Sequence, residues 1–130
     1  MTCAMTAALF AALTCAQAFG FTQRIRTPEV SYISPRNDST VGLAGQKSLM
    51  FRWKPAPIPA NGRGSYKFYI YKGFGYNPIY TMTLGPNEYT AEVPVNLFEK
   101  GSVYSWGVKQ RDAFSMVWSG VTHWSFKAGD

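Results

Sequence analysis

Between Leu49 and Lys54 the chain alternates with a period of two: Leu49, Phe51 and Trp53 are apolar, while Met50, Arg52 and Lys54 fall on the opposite face. A period of two places one set of side chains inward and the other toward solvent, which is the pattern of a half-buried strand. The same period recurs at Tyr66, Phe68 and Ile70, with Lys67 marking the solvent face, and again at Tyr104, Trp106 and Val108. Shorter segments of strand character run over Ile79–Leu84, Tyr89–Val93 and Thr122–Phe126.

Turn chemistry separates these runs. Ile33–Ser39 reads as a turn-rich edge segment, where Pro35 avoids a ladder position that it could not serve. Pro55, Pro57 and Pro59 predict a stiff extended arm over 55–64 that cannot be a strand or helix interior, with Asn61-Gly62 supplying a turn. Gly73–Pro78 and Gly85-Pro86-Asn87 turn the chain again, and Pro94 stops a strand. About seven short strands with turns every ~8–12 residues predict an all-β, antiparallel two-sheet sandwich of immunoglobulin-like type. No repeat or sustained helical period competes with this reading.

Composition narrows the picture. At 130 residues there is room for one domain, and an apolar share of 46% supplies a core. Aromatics make up 16%, which suits pleated, half-buried surfaces better than helices. Residues 1–18 carry no charge and hold the apolar run Ala7–Leu13, followed by Ala16-Gln17-Ala18, so they read as a signal peptide cleaved after Ala18. The other reading is a first helix or strand of the domain. The apolar run is too short to span a bilayer, so no transmembrane segment is expected once the leader is removed. Both cysteines, Cys3 and Cys15, lie inside the leader. A mature chain would therefore hold no disulfide, and lipidation of Cys15 is the lesser option. Export implies a secreted, periplasmic or cell-surface location.

The net charge is +6, and the thirteen basic residues are dispersed between Arg24 and Lys127. Dispersed charge suits an anionic surface or plain solubility; a nucleic-acid site would need a concentrated stripe. Catalytic chemistry finds no foothold in the motifs. His123 is the single histidine, with no nucleophile tied to it, and the seven acids show no catalytic pairing. Metal-ligand clusters and phosphate loops are lacking in the sequence, so no cofactor is called for.

Trp53 late in an early strand, followed by Phe98-Glu99-Lys100-Gly101-Ser102-Val103-Tyr104, resembles the fibronectin type III family. That family's pattern is a Trp and then Leu-x-Pro-Gly-Thr-x-Tyr; here Phe, Lys and Ser stand for Leu, Pro and Thr. Tyr104-Ser105-Trp106-Gly107-Val108, Trp118-Ser119 and Trp124-Ser125-Phe126 continue the likeness, which covers residues 28–127. The resemblance implies a tyrosine corner, with the Tyr104 ring in the core and its hydroxyl on a carbonyl of the preceding turn. It also implies a binding or adhesion role, since the family often engages proteins through its loops.

Three surfaces are candidates. One is a sheet face on which Lys67, Tyr69 and Tyr71 point outward beside Ser105, Gly107, Lys109 and Arg111, a shallow platform for a polysaccharide. Alternatively the two tyrosines only cover their small neighbours. Another is a loop pole, where Ile58, Arg63, Phe114 and Met116 are expected on a projecting tip fit for an extracellular or envelope protein partner. Alternatively Phe114 folds back over the open end of the core. The third, Gly73–Asn77 with Phe74 and Tyr76, reads as a hairpin turn at the opposite pole. A spacer without any ligand is the remaining reading.

The tyrosine corner is testable by itself. Tyr104→Phe should lower stability by about 1 kcal/mol through one lost hydrogen bond, seen as a lower midpoint in chemical denaturation. An unchanged midpoint would remove the corner.

Overall fold

A computed structural model describes residues 26–130. The expected leader, its cleavage position and both cysteines lie outside the described residues. Eight strands follow in order: β1 (Ser31–Ser34), β2 (Ser39–Gly42), β3 (Ser48–Lys54), β4 (Arg63–Lys72), β5 (Tyr80–Leu84), β6 (Thr90–Pro94), β7 (Val103–Asp112) and β8 (Trp124–Gly129). They form a three-stranded sheet, β1-β3-β6, and a five-stranded sheet, β2-β8-β7-β4-β5. The fold is therefore an all-β sandwich of two sheets.

The period-two reading places the side chains correctly. In β3, Leu49, Phe51 and Trp53 are buried while Met50, Arg52 and Lys54 are exposed. In β4, Tyr66, Phe68 and Ile70 are buried, and Lys67, Tyr69 and Tyr71 face outward. The inner faces meet in a mostly aromatic core. Phe51 lies 4.9 Å from Phe68, 5.2 Å from Trp106 and 5.8 Å from Phe126, centroid to centroid and edge to face.

Several expectations need correction. Pairing is antiparallel throughout except for β2, which runs parallel to β8 from Ser39↔Phe126 to Gly42↔Gly129. The segment read as one turn-rich edge is in fact split: β1 edges one sheet, Pro35 to Asp38 crosses over, and β2 edges the other. The proline arm ends earlier than expected. Arg63 and Gly64 already belong to β4, with a register shift between Arg63 and Ser65. The arm also lies against the fold. Ala56 is buried and donates its N–H to Gln110 Oε1 at 2.9 Å, so a buried amide ties the arm to β7. The Tyr104 ring is buried as expected, but its hydroxyl accepts from the Glu99 N–H at 2.6 Å instead of donating to a carbonyl. The Glu99 carbonyl is already taken by the Ser102 N–H.

The closing strand also starts later than expected, at Trp124 rather than Thr122. Beside β7, ladder pairing covers Val103–Trp106 against β8 and reappears only at Arg111↔Trp118. Between these points the chain bows outward, and the backbone groups of Val108 lose a strand partner. Tyr32, from β1 of the other sheet, supplies one. Its hydroxyl accepts from the Val108 N–H at 2.9 Å and approaches the Val108 carbonyl at 3.4 Å. Its ring lies 4.6 Å from Trp106 and edge-on to Trp124 at 5.4 Å. Burial pushes the Tyr32 hydroxyl up to about 12.

The bowed segment fits only over a glycine. A Cβ at position 107 would lie 2.5 Å from Val121 Cγ2 and 3.1 Å from His123 Cδ2. Gly107→Ala should therefore lower stability by about 1–3 kcal/mol, the usual range for overpacking, against the gain that Ala normally brings to a strand. An unchanged or raised denaturation midpoint would show that Val121–His123 moves aside freely.

Candidate functional site

The loop pole is built at the end of β7. The Asp112 N–H donates to the Val117 carbonyl at 3.0 Å, and the Met116 N–H donates to the Asp112 carbonyl at 2.7 Å. The Asp112 side chain closes the turn from within, its Oδ1 accepting from the N–H groups of Phe114 (2.8 Å) and Ser115 (3.3 Å). A short polar side chain bonding the next backbone amides is what fixes such turns. The Ala113 N–H reaches the Gly62 carbonyl at 2.7 Å, docking the loop on the end of the proline arm.

This ordered turn presents two apolar side chains to solvent: Phe114 is 74% exposed and Met116 58%. Met116 sits at φ 61°, a left-handed conformation that disfavours a residue with a Cβ. The two other residues expected at this tip are elsewhere. Ile58 is buried, because the arm turns inward and Gly62 has no side chain to hold Ile58 and Phe114 apart. Arg63 is half-buried, displaced by the register shift at the start of β4. Its guanidinium donates to the Tyr89 hydroxyl at 3.2 Å and lies 6.0 Å from that ring. Beside it the Tyr66 hydroxyl is pushed up to about 12, first by burial and then by Tyr89, with Arg63 opposing. The apolar tip is thus Phe114 and Met116 alone.

The sheet face is not the open platform that alternation suggested. Ser105 and Gly107 are buried: Val121 and His123 lie over Gly107, while Ser105 shares a cavity wall with Tyr71 and His123. Ser105 donates its hydroxyl to the Gly73 carbonyl at 2.7 Å. Tyr69 and Tyr71 are half-buried, with centroids 6.3 Å apart and planes within 25°. Tyr71 meets His123 edge-on at 5.0 Å, and its hydroxyl is pushed up by burial and then by Tyr69.

Trp118 is the residue that sequence reasoning missed as part of a site. The Asp112–Val117 turn brings it back beside Arg111, onto the outer face of the sheet. Lys67 Nζ lies 5.1 Å from its ring, the Arg111 guanidinium 5.5 Å and Lys109 Nζ 5.9 Å. Lys109 is also 5.5 Å from the Tyr69 ring. The available signal was the short turn itself, which returns the chain antiparallel to the alternating cations of β7.

At the other pole Gly73–Pro78 joins β4 to β5, with Gly73 at φ 62°. Phe74 and Tyr76 are 74% and 98% exposed. A cavity of about 240 Å³ there is lined by Tyr71, Phe74, Gly75, Tyr76, Ser105 and His123. Among the described residues no three His, Cys, Asp or Glu side chains gather as a metal site would require.

No protein-family model matches the chain, and no curated protein sequence matches it. Solved structures do. A β-sandwich protein obtained by computer-based redesign is 11% identical, with a TM-score of 0.54 over 78% of this chain and 86% of that one. An alpha-L-rhamnosidase from Dictyoglumus thermophilum is 16% identical, with a TM-score of 0.56 over 76% of this chain but only 12% of the enzyme. At such identities the likeness is one of fold, a β-sandwich.

The strained tip gives a separable prediction. Met116→Gly relieves the left-handed backbone, and its effect on stability should fall between no change and a gain of about 1 kcal/mol. A clear loss in denaturation midpoint would mean that the Met116 side chain packs into the fold.

Proposed function

We propose that the chain is an exported, non-catalytic binding or adhesion module of fibronectin type III-like character, acting at the cell surface or in the envelope. It engages a protein partner through the Phe114/Met116 tip. The observation that carries this reading is the way the tip is held: two mostly exposed apolar side chains stand on a turn closed by Asp112 and docked on Gly62. A turn fixed before contact loses little entropy on binding, and rigid apolar anchors are what protein interfaces concentrate energy upon. The left-handed backbone at Met116 supports the same reading, since strain of this kind persists mainly where presentation of a side chain matters.

The family character rests on Trp53 and the Phe98–Tyr104 stretch, whose tyrosine is buried beneath the turn before β7. Export rests on the uncharged leader pattern of residues 1–18.

The test is capture from an envelope extract at high salt by immobilised wild type and by Phe114→Ser/Met116→Ser. The wild type should retain a protein that the variant holds at least about tenfold less well, the loss expected of interface anchors. The variant's melting temperature should stay near wild type, because both side chains are exposed. Equal retention by the two forms would remove the tip from the interface.

A further inference from the structure

The outer face of the five-stranded sheet concentrates positive charge without a counter-charge. Lys67, Lys109 and Arg111 all lie within 6 Å of the Trp118 ring. Lys67 and Lys109 stand directly opposite one another in the β4–β7 register, a placement in which like charges repel. Among the described residues the ion pairs are Lys72–Glu99 and Lys100–Asp130, and neither involves this group. The nearest acid in sequence, Asp112, spends its Oδ1 on the amides of its own turn. Arg111 Nε is buried and has no hydrogen-bond partner. Packing against aromatic rings holds the three cations in place but leaves their charge unmatched.

Tyr69 and Tyr71 extend the same strip toward the cavity at Phe74 and Tyr76. Cations on one strand repeat every ~7 Å, and neighbouring strands lie ~4.8 Å apart. That grid is comparable with the spacing of charged groups on successive sugar rings. The face also lacks what an extended acidic peptide docks upon. β4 is paired on both sides, and where β7 leaves the β8 ladder its backbone groups are taken by the Tyr32 hydroxyl and by Ser119, so the strip offers side chains and ring faces but no free backbone edge.

We propose that this face binds a linear anionic polysaccharide, whose carboxylate or sulfate groups pair with Lys67, Lys109 and Arg111 while a sugar ring lies against Tyr69 and Tyr71. The site is separate from the Phe114/Met116 tip and does not depend on it.

The test is retention of the full chain on immobilised dextran sulfate and on polygalacturonate at low salt, with neutral dextran as control. The wild type should bind one or both acidic polymers, bind neutral dextran far more weakly, and be released as salt screens the contacts. Lys67→Gln/Lys109→Gln/Arg111→Gln should weaken binding at least about tenfold, the loss of one or more charge-assisted bonds. Lys47→Gln/Arg52→Gln/Lys54→Gln removes the same charge from β3 of the opposite sheet and the residue before it, and should bind nearly as well as wild type. Phe114→Ser/Met116→Ser should bind unchanged, so failure of the tip reading and failure of this one remain distinguishable. Tyr69→Ala/Tyr71→Ala should weaken polygalacturonate at unchanged net charge. The proposal is overturned by no retention at low salt or by equal losses in the two charge-removed variants. Binding of double-stranded DNA as tight as that of either polymer, again lost only from the sheet face, would also overturn it and assign the face to polyanions in general.

Discussion

The sandwich is held together by the contact of Phe51 with the opposite sheet. Its ring, wholly buried on the central strand of the smaller sheet, meets Phe68 on β4, Trp106 on β7 and Phe126 on β8. One side chain therefore joins three adjacent strands of the larger sheet. Edge-to-face pairs of this kind contribute about 0.5–1.5 kcal/mol each beyond the area they bury. Both cysteines lie outside the described residues, so within the sandwich this aromatic cluster joins the two sheets without a disulfide. Trp53, stacked at 6.0 Å on Phe68, and Phe98, edge-on to Tyr104 at 5.0 Å, extend the cluster toward either end.

A core of this rigidity constrains the surfaces. β7 buries Tyr104, Trp106 and Val108 on one side, and so must present Lys109 and Arg111 on the other. β4 does the same with Phe68 and Ile70 against Lys67, Tyr69 and Tyr71. The charged, aromatic face is thus locked in register by the core beneath it. The same long pairing of β4 with β7, from Arg63↔Asp112 to Lys72↔Tyr104, carries the Asp112 turn to the far end of the sheet. There Phe114 and Met116 are largely exposed, with the Phe114 ring against Gly62. Two surfaces of different chemistry, one cationic and one apolar, follow from one pair of strands.

The bowed segment Val121–His123 shows how local needs were met across the molecule. Leaving the β7 ladder would strand the backbone polar groups of Val108, and unpaired buried groups cost free energy comparable to a lost hydrogen bond. Tyr32 answers from the other sheet, its ring against Trp106 and its hydroxyl at Val108. Glu29 helps to fix the same excursion, accepting from the Thr122 hydroxyl at 2.8 Å. Thr27 anchors its start through the Val117 carbonyl at 2.9 Å. The lead-in to β1 thus holds the segment that covers Gly107.

Period-two alternation was enough to assign the inner and outer faces of β3 and β4, because that period is a property of the extended backbone and needs no partner. The glycine turn before Tyr104 and the proline stops were legible for the same local reason. Other features depend on which distant group fills a given space. The parallel pairing of β2 with β8, the burial of Ile58 over Gly62, the seat of Arg63 on Tyr89 and the amide partner of the Tyr104 hydroxyl are of this kind. So is the gathering of three cations around Trp118, which joins residues of β4 and β7 to a ring beyond the turn. Alternation says which way a side chain points; only close packing between separate segments decides what it meets.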